Sequence, residues 1–478
     1  MGRFHHVLLV SVVFTVAARL ASAACSPFDP PSTNAVGDRP SALAAGDLNG
    51  DGFPDLVVGN AYDVSVLFGD GAGSFTAGPW TPVIAFPRTI VLTDFNGDSR
   101  LDLAVVGGYA LDIECQILLG NGDGTFTSRQ SLVGNTSTDM VTGDFDGDGR
   151  ADLAIVDMYF PAPDPPFGGY AVIYLGNGDG TVRFHGRYTT LNLPVSIVTS
   201  DFNGDGRADL AATCREGVAV LLGVGDGSFG TMTGYAAGGL GDLAAVDLDG
   251  DGRIDLVAAD AASDEVSVLL GDGNGAFGAE TRYPTGDGPS RIAAVDLYGR
   301  ELADILTPDH YGNTVSLLPS RGDGSLGPPT QFTAGDSPAA ILVADFDRDG
   351  RPDVAVTNFN ADTVSVLLGK RADRPWIVFE TAETIVWRAV PGALAYNVYR
   401  GALADLVDQN ADGLPDGGYG ACFDDHDPDL SDTSLVDSET PSVGAGFFYF
   451  ASVVGSSGDQ GIGVTSACLP RAPSSVCP

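Results

Sequence analysis

Residues 143–153 read GDFDGDGRADL. Asp144, Asp146, Asp148 and Asp152 crowd their carboxylates into one short stretch, and in water they would repel one another. The crowding suits a hard cation. Ca²⁺ takes about six to eight oxygens, mostly from carboxylates and carbonyls. With Asp144 as position 1, the side chains at positions 1, 3 and 5 converge as the chain curls. Gly at position 6 permits the sharp turn, the carbonyl of position 7 adds an oxygen, and Asp at position 9 closes the shell. An EF-hand would need Glu at position 12 and flanking helices. Here position 12 is apolar, as at Ile155 and, in an earlier copy, Val58.

The same spacing supplies the other candidate ligands: Asp47, Asn49, Asp51 and Asp55; Asp94, Asn96, Asp98 and Asp102; Asp201, Asn203, Asp205 and Asp209; Asp247, Asp249, Asp251 and Asp255; Asp345, Asp347, Asp349 and Asp353. Ser99 replaces the position-6 Gly in the second loop. A damaged copy starts at Asp296 and keeps Asp304, but puts Tyr298 at position 3 and Arg300 at position 5. There Arg300 is expected to act as an internal cation between Asp296 and Asp304. The expectation is about six structural Ca²⁺ ions in this part of the chain. Without them the carboxylates repel, so calcium is chiefly a folding ligand.

These loops need strands on both sides. The copies start 47, 50, 57, 46, 49 and 49 residues apart. Short β-branched runs flank each one, such as RTIVLTD before and DLVVGN after, followed by VSVLFG-type runs and a Gly-rich turn ending in an aromatic. Four strands in about 50 residues, seven times over, describe a β-propeller. The seventh copy lacks its last strand. Phe28 lies 19 residues before Asp47, as Phe75 does before Asp94 and Phe277 before Asp296. The N-terminal stretch is therefore expected to be the outer strand of blade 7, leaving no open edge. The fold class is all-β: a seven-bladed propeller followed by a small β-sandwich.

The motif, period and copy number resemble the FG-GAP/VCBS repeat family, whose propeller is that of the integrin α subunit; the resemblance covers residues 25–370. It implies calcium between the first two strands of a blade. It also implies an adhesion or binding scaffold, with a glycan-binding lectin as the alternative, since some fungal lectins are similar propellers. Accessory service to an extracellular enzyme is a third reading, because such repeats are appended to hydrolases and lyases. No H-E-x-x-H, G-x-S-x-G or phosphate-loop motif occurs, so the expectation is no enzyme.

Residues 371–478 resemble a fibronectin type III-like sandwich with Trp387 and Tyr396 in its core. Within it, Asp408, Asn410, Asp412 and Asp416 repeat the calcium spacing and would take one further ion. Cys422, Cys468 and Cys477 offer a disulfide whose pairing stays open, whereas Cys115 and Cys214 read as small buried hydrophobes. Residues 1–23 have the charge, apolar run and Ala-Ser-Ala ending of a signal peptide, which places the protein outside the cell or on its surface. Acylation of Cys25 is a weaker alternative, because Ser22 stands where such signals carry Leu. The net charge of -39 excludes nucleic acid and anionic lipid as partners. The expected partner is an extracellular protein or glycan, met by a monomer with no membrane insertion. The face bearing the second-to-third and fourth-to-first strand connections carries the variable lengths. Its longest insertion, residues 157–170, holds Tyr159, Phe160, Phe167 and Tyr170. The Arg321-Gly322-Asp323 tripeptide aligns with ordinary turns of the other repeats and reads as chance.

Overall fold

The computed structural model describes residues 27–370, apart from 110–111, 134–135, 160–167 and 239–240, together with short strands between 377 and 471. Two compact units result, one of them Phe28–Gly369. That unit is a seven-bladed β-propeller of seven four-stranded antiparallel sheets. Blade 1 shows the pattern: Ala42–Gly46, Asp55–Gly59, Asp63–Gly69 and Phe75–Pro82, each paired with the next. First strands of neighbouring blades touch around the ring, from Ala42–Gly46 through Pro338–Ala344 and back to Ala42–Gly46.

The short β-branched strands suit this arrangement because both faces of every blade are covered. All five residues of Asp55–Gly59 are buried, as are all six of Asp353–Asn358. The core is divided into seven apolar clusters, each drawn from two adjacent blades. Between blades 1 and 2, for example, Val57 and Val66 meet Leu103 and Val105. Blade 7 takes its outer strand from Ser32–Ala35, which runs antiparallel to Thr363–Leu367 with Ser32 opposite Val366.

Cys115 and Cys214 are free and buried, and burial pushes both thiols up to about 12. In the other unit, strand Ala395–Ala402 pairs antiparallel with Phe447–Gly455. In the same unit Thr384–Trp387 pairs antiparallel with Ile377–Phe379 and Ser434–Val436, and Ala395–Ala402 also pairs with Ala421–Asp427. The expected packing of these sheets as a sandwich, its disulfide and the leader 1–23 lie outside the described residues. Among those described, no helix is long and apolar enough to cross a membrane.

Candidate metal centres

Each acidic loop joins the first strand of a blade to the second, and its own side chains shape it. Asp47 accepts the Gly50 N–H at 2.7 Å on one oxygen and the Gly52 N–H at 2.8 Å on the other. Asp51 accepts the Phe53 N–H at 2.8 Å. The bond from position 6 back to position 1 recurs at Ser99, Gly149, Gly206, Gly252 and Gly350, all at 2.7–2.9 Å. Position 6 is left-handed, with φ 83° at Gly52 and 66° at Ser99, which explains its glycine preference. Position 4 is equally left-handed, 77° at Gly50, a demand the ligand spacing alone did not reveal.

Position 9 has a second task. Asp55, Asp102, Asp152, Asp209 and Asp353 have no exposed surface. One oxygen of each accepts the amide of position 2; the other accepts the amide of a glycine at the end of the third strand. For Asp353 these bonds come from Phe346 at 2.7 Å and Gly369 at 2.6 Å, and Asp152 takes the same pair from Phe145 and Gly176. The carbonyl of position 2 reaches the next blade: Phe95, Phe145 and Phe202 accept N–H bonds from Gly180, Gly227 and Gly275. Rings follow the same path, with Phe145 edge-on to Phe229 at 5.8 Å and Phe202 to Phe277 at 5.5 Å. The loop thus ties its own hairpin to a neighbouring blade.

Three loops bring three carboxylates within 4.8 Å: Asp144, Asp146 and Asp152; Asp247, Asp249 and Asp251; Asp345, Asp347 and Asp353. All three have Asp at position 3. Where position 3 is Asn, a neutral amide stands there and its nitrogen donates to the position-5 carboxylate, at 2.8 Å for Asn49–Asp51 and 3.2 Å for Asn96–Asp98. At position 7, Arg150 reaches Asp148 at 3.2 Å, Arg207 reaches Asp205 at 3.8 Å and Arg100 reaches Asp98 at 3.9 Å; Arg253 and Arg351 pair with Asp251 and Asp349. These exposed pairs stabilise little by themselves, but they temper local repulsion. Oxygen-only donors converging at a solvent-facing rim fit a hard divalent cation.

Burial raises the position-9 carboxyls, helped by their loop neighbours and opposed by the backbone amides they accept. For Asp255, with Asp249 and Asp251 beside it, the value reaches about 6. The sign for the metal-free ring follows from linkage. The folded carboxyl holds its proton to higher pH than the unfolded one, so this contribution stabilises at low pH and is lost as pH rises through about 6. Calcium needs the ionised form. Metal-free protein should therefore melt higher at pH 5 than at pH 7.5, and the calcium-induced rise in Tm should be smaller at pH 5 than at pH 7.5. Differential scanning fluorimetry with and without EDTA would reveal the opposite trends if this linkage were wrong.

The sixth loop departs from the others. Arg300 Nη2 bonds Asp304 Oδ1 at 2.5 Å and Nη1 bonds the Ser320 carbonyl at 3.2 Å, while the guanidinium lies 5.0 Å from the centre of the Tyr298 ring. The expected second bond, to the Asp296 carboxylate, is replaced. Asp296 instead accepts the main-chain amides of Arg300 at 2.9 Å and Glu301 at 2.7 Å. The physical reason is its position-1 geometry, which already spends its oxygens on the turn. Asp304 is fully buried and one of its oxygens lacks a hydrogen-bond partner. Burial pushes it up to about 6 although Arg300 pulls it down. Arg300→Ala should cost about 2 kcal/mol, discounted because the arginine is partly exposed. Tyr298→Asp with Arg300→Asp should gain one calcium, read by isothermal titration; an unchanged count would show that the loop cannot host an ion.

The expected C-terminal site at Asp408, Asn410, Asp412 and Asp416 lies outside the described residues, as do Phe160 and Phe167. Tyr170 is described, and the Arg187 guanidinium sits 5.4 Å from its ring centre, so this aromatic is engaged by its own blade.

The FG-GAP-like repeat family matches residues 47–105, 94–155, 201–258, 247–307 and 296–356, more than half of the chain. The match includes the damaged sixth copy. No curated protein matches the sequence. Among solved structures, the chain is similar to an Agrocybe aegerita lectin whose specific recognition of non-reducing terminal N-acetylglucosamine was described. The two are 19% identical, with 67% of this chain and 86% of that chain covered and a TM-score of 0.42.

Proposed function

The chain belongs to the FG-GAP-like repeat family, and from that premise we propose that it is an exported, monomeric, calcium-stapled binding scaffold without catalytic activity. The observation that carries the reading is the recurrence of one acidic spacing at six loops of one ring, three of which bring three carboxylates within 4.8 Å of one another, while three tie their backbone to the next blade. Side chains at positions 1, 3, 5 and 9 and the carbonyl of position 7 would hold each ion. The bound ion would supply charge neutralisation and rigidity rather than a reacting group. Extracellular calcium modules work at roughly 10⁻⁴–10⁻³ M, which fits loops with exposed rims and the secretory leader read at residues 1–23. Most of the carboxylates that could form an acid–base pair belong to these loops, which supports a binding role.

Calcium titration of metal-stripped protein tests this. The propeller should bind six ions. Asp146→Ala with Asp148→Ala should remove one and leave the ring folded. Protein that folds to full stability and binds no calcium would refute the reading.

A further inference from the structure

The first strands of the blades also line the central channel. Five residues before each position 1, the chain places Thr89, Asp139, Ser196, Asp242 and Arg291 on blades 2 to 6. They form one hydrogen-bonded girdle. Thr89 donates to Asp139 at 2.5 Å, and Ser196 lies 2.7 Å from Asp139 and 3.0 Å from Asp242. Arg291 donates to Asp242 at 3.1 Å and, across the axis, to the Arg88 carbonyl at 2.7 Å. Backbone amides complete the acids, Ile197 to Asp139 at 3.0 Å and Ile292 to Asp242 at 2.9 Å. This girdle floors a cavity of about 490 Å³ on the face opposite the acidic loops.

What the mouth has left over defines its ligand. Both girdle carboxylates are occupied by donors, and Arg291 already supplies the local cation. The Arg88 side chain is exposed at the mouth, and among the described residues it makes no ion pair or hydrogen bond. Its fork of N–H donors asks for an oxyanion. The hydroxyls of Ser41, Thr138 and Ser290 have spent their protons on carbonyls of neighbouring blades, so they face the cavity as acceptors for ligand hydroxyls. Phe86 and Phe359 add ring surface to its wall. Two guanidiniums balance two carboxylates, so a single negative charge is tolerated, whereas a doubly charged phosphate would have to be desolvated without compensation.

We propose that this mouth binds a monoanionic, hydroxylated ring carboxylate, a uronic acid residue at the end of a glycan. The volume suits a monosaccharide or a little more. The proposal rests on the non-catalytic binding reading and gives it a ligand class.

The test is a titration of calcium-loaded protein with D-glucuronate, D-glucose and acetyl-alanyl-alanine, followed by protein NMR, with melting curves on the same samples. Glucuronate should bind saturably and D-glucose at least about tenfold more weakly, as expected for loss of a charge-assisted bond. Arg88→Ala should lose about the same factor without moving the melt, and Arg88→Lys should recover part of it. Absence of saturable glucuronate binding, equal binding by Arg88→Ala, or binding of acetyl-alanyl-alanine in its place would each overturn the assignment. A normal calcium response without glucuronate binding would sink the site alone. Turnover of bound glucuronate would sink the non-catalytic reading and leave the site standing.

Discussion

Chelating calcium with EDTA should lower the melting temperature of the propeller by tens of degrees, or prevent the ring from folding at all. One ligand present at a hundred times its Kd stabilises by about 2.7 kcal/mol. Six loops at that saturation contribute on the order of 10 kcal/mol, comparable with the total stability of an ordinary domain. The geometry allows little of this to be local. Each loop is bonded through position 9 to the third strand of its own blade, and at Phe95, Phe145 and Phe202 through the position-2 carbonyl to the next blade. Loosening one loop loosens an interface. Re-addition of calcium should restore the melt, and magnesium should do so poorly, because it demands a smaller, near-octahedral shell and gives up water reluctantly. A melt indifferent to EDTA, on protein shown by mass spectrometry to carry no metal, would defeat the idea.

The acidic loops were legible because ligand chemistry fixes residue type at fixed spacing, and repetition separates that signal from chance. What spacing could not show was which carboxylates also serve the fold. The sixth copy makes the division visible. It has lost positions 3 and 5, to Tyr298 and Arg300, and kept Asp296 and Asp304. Asp296 still caps the turn amides, and Asp304 still accepts the Ser320 amide at 2.9 Å. The retained pair hold the turn and tie it to the third strand, whereas positions 3 and 5 of the intact loops accept amides only two residues on, as Asn49 does from Asp51 and Asp51 from Phe53, both at 2.8 Å. The partnership of Arg300 with Asp304 rather than Asp296 was hidden for the same reason, since a main-chain bond leaves no mark on residue type. The position-7 arginines went unnoticed because their pairs cross one intervening residue on a curled loop, a contact without helical or strand period. The channel girdle was equally hidden. Its members stand 46 to 57 residues apart, in strands whose other residues vary, and only the closed ring brings them together.

Removing residues 28–35 should destabilise the ring more than any single substitution outside the metal loops. The strand Ser32–Ala35 is the outer edge of blade 7, yet its four residues are mostly exposed, so the strand itself contributes chiefly ladder bonds. The apolar weight lies just before it. Phe28 is 1% exposed, packs edge-on to Phe332 at 5.5 Å, and belongs to the cluster shared by blades 6 and 7 with Leu306, Val354 and Leu367. Asp29 donates its amide to the Leu368 carbonyl at 2.8 Å, and Phe28 bridges Gly369. Phe28→Ala alone should cost about 3–5 kcal/mol, the range for an aromatic removed from a packed core. Deleting the whole stretch adds an unpaired edge along Thr363–Leu367, which invites pairing with a second chain. The truncated protein should therefore melt lower and associate, and the loss should persist in saturating calcium, because no acidic loop is touched. This separates closure from metal binding: on the proposed reading calcium would stiffen each interface, while the N-terminal strand fastens the last blade to residues more than three hundred positions away. Truncated protein that stays monomeric by light scattering, with an unchanged melt, would show that the ring holds without this strand.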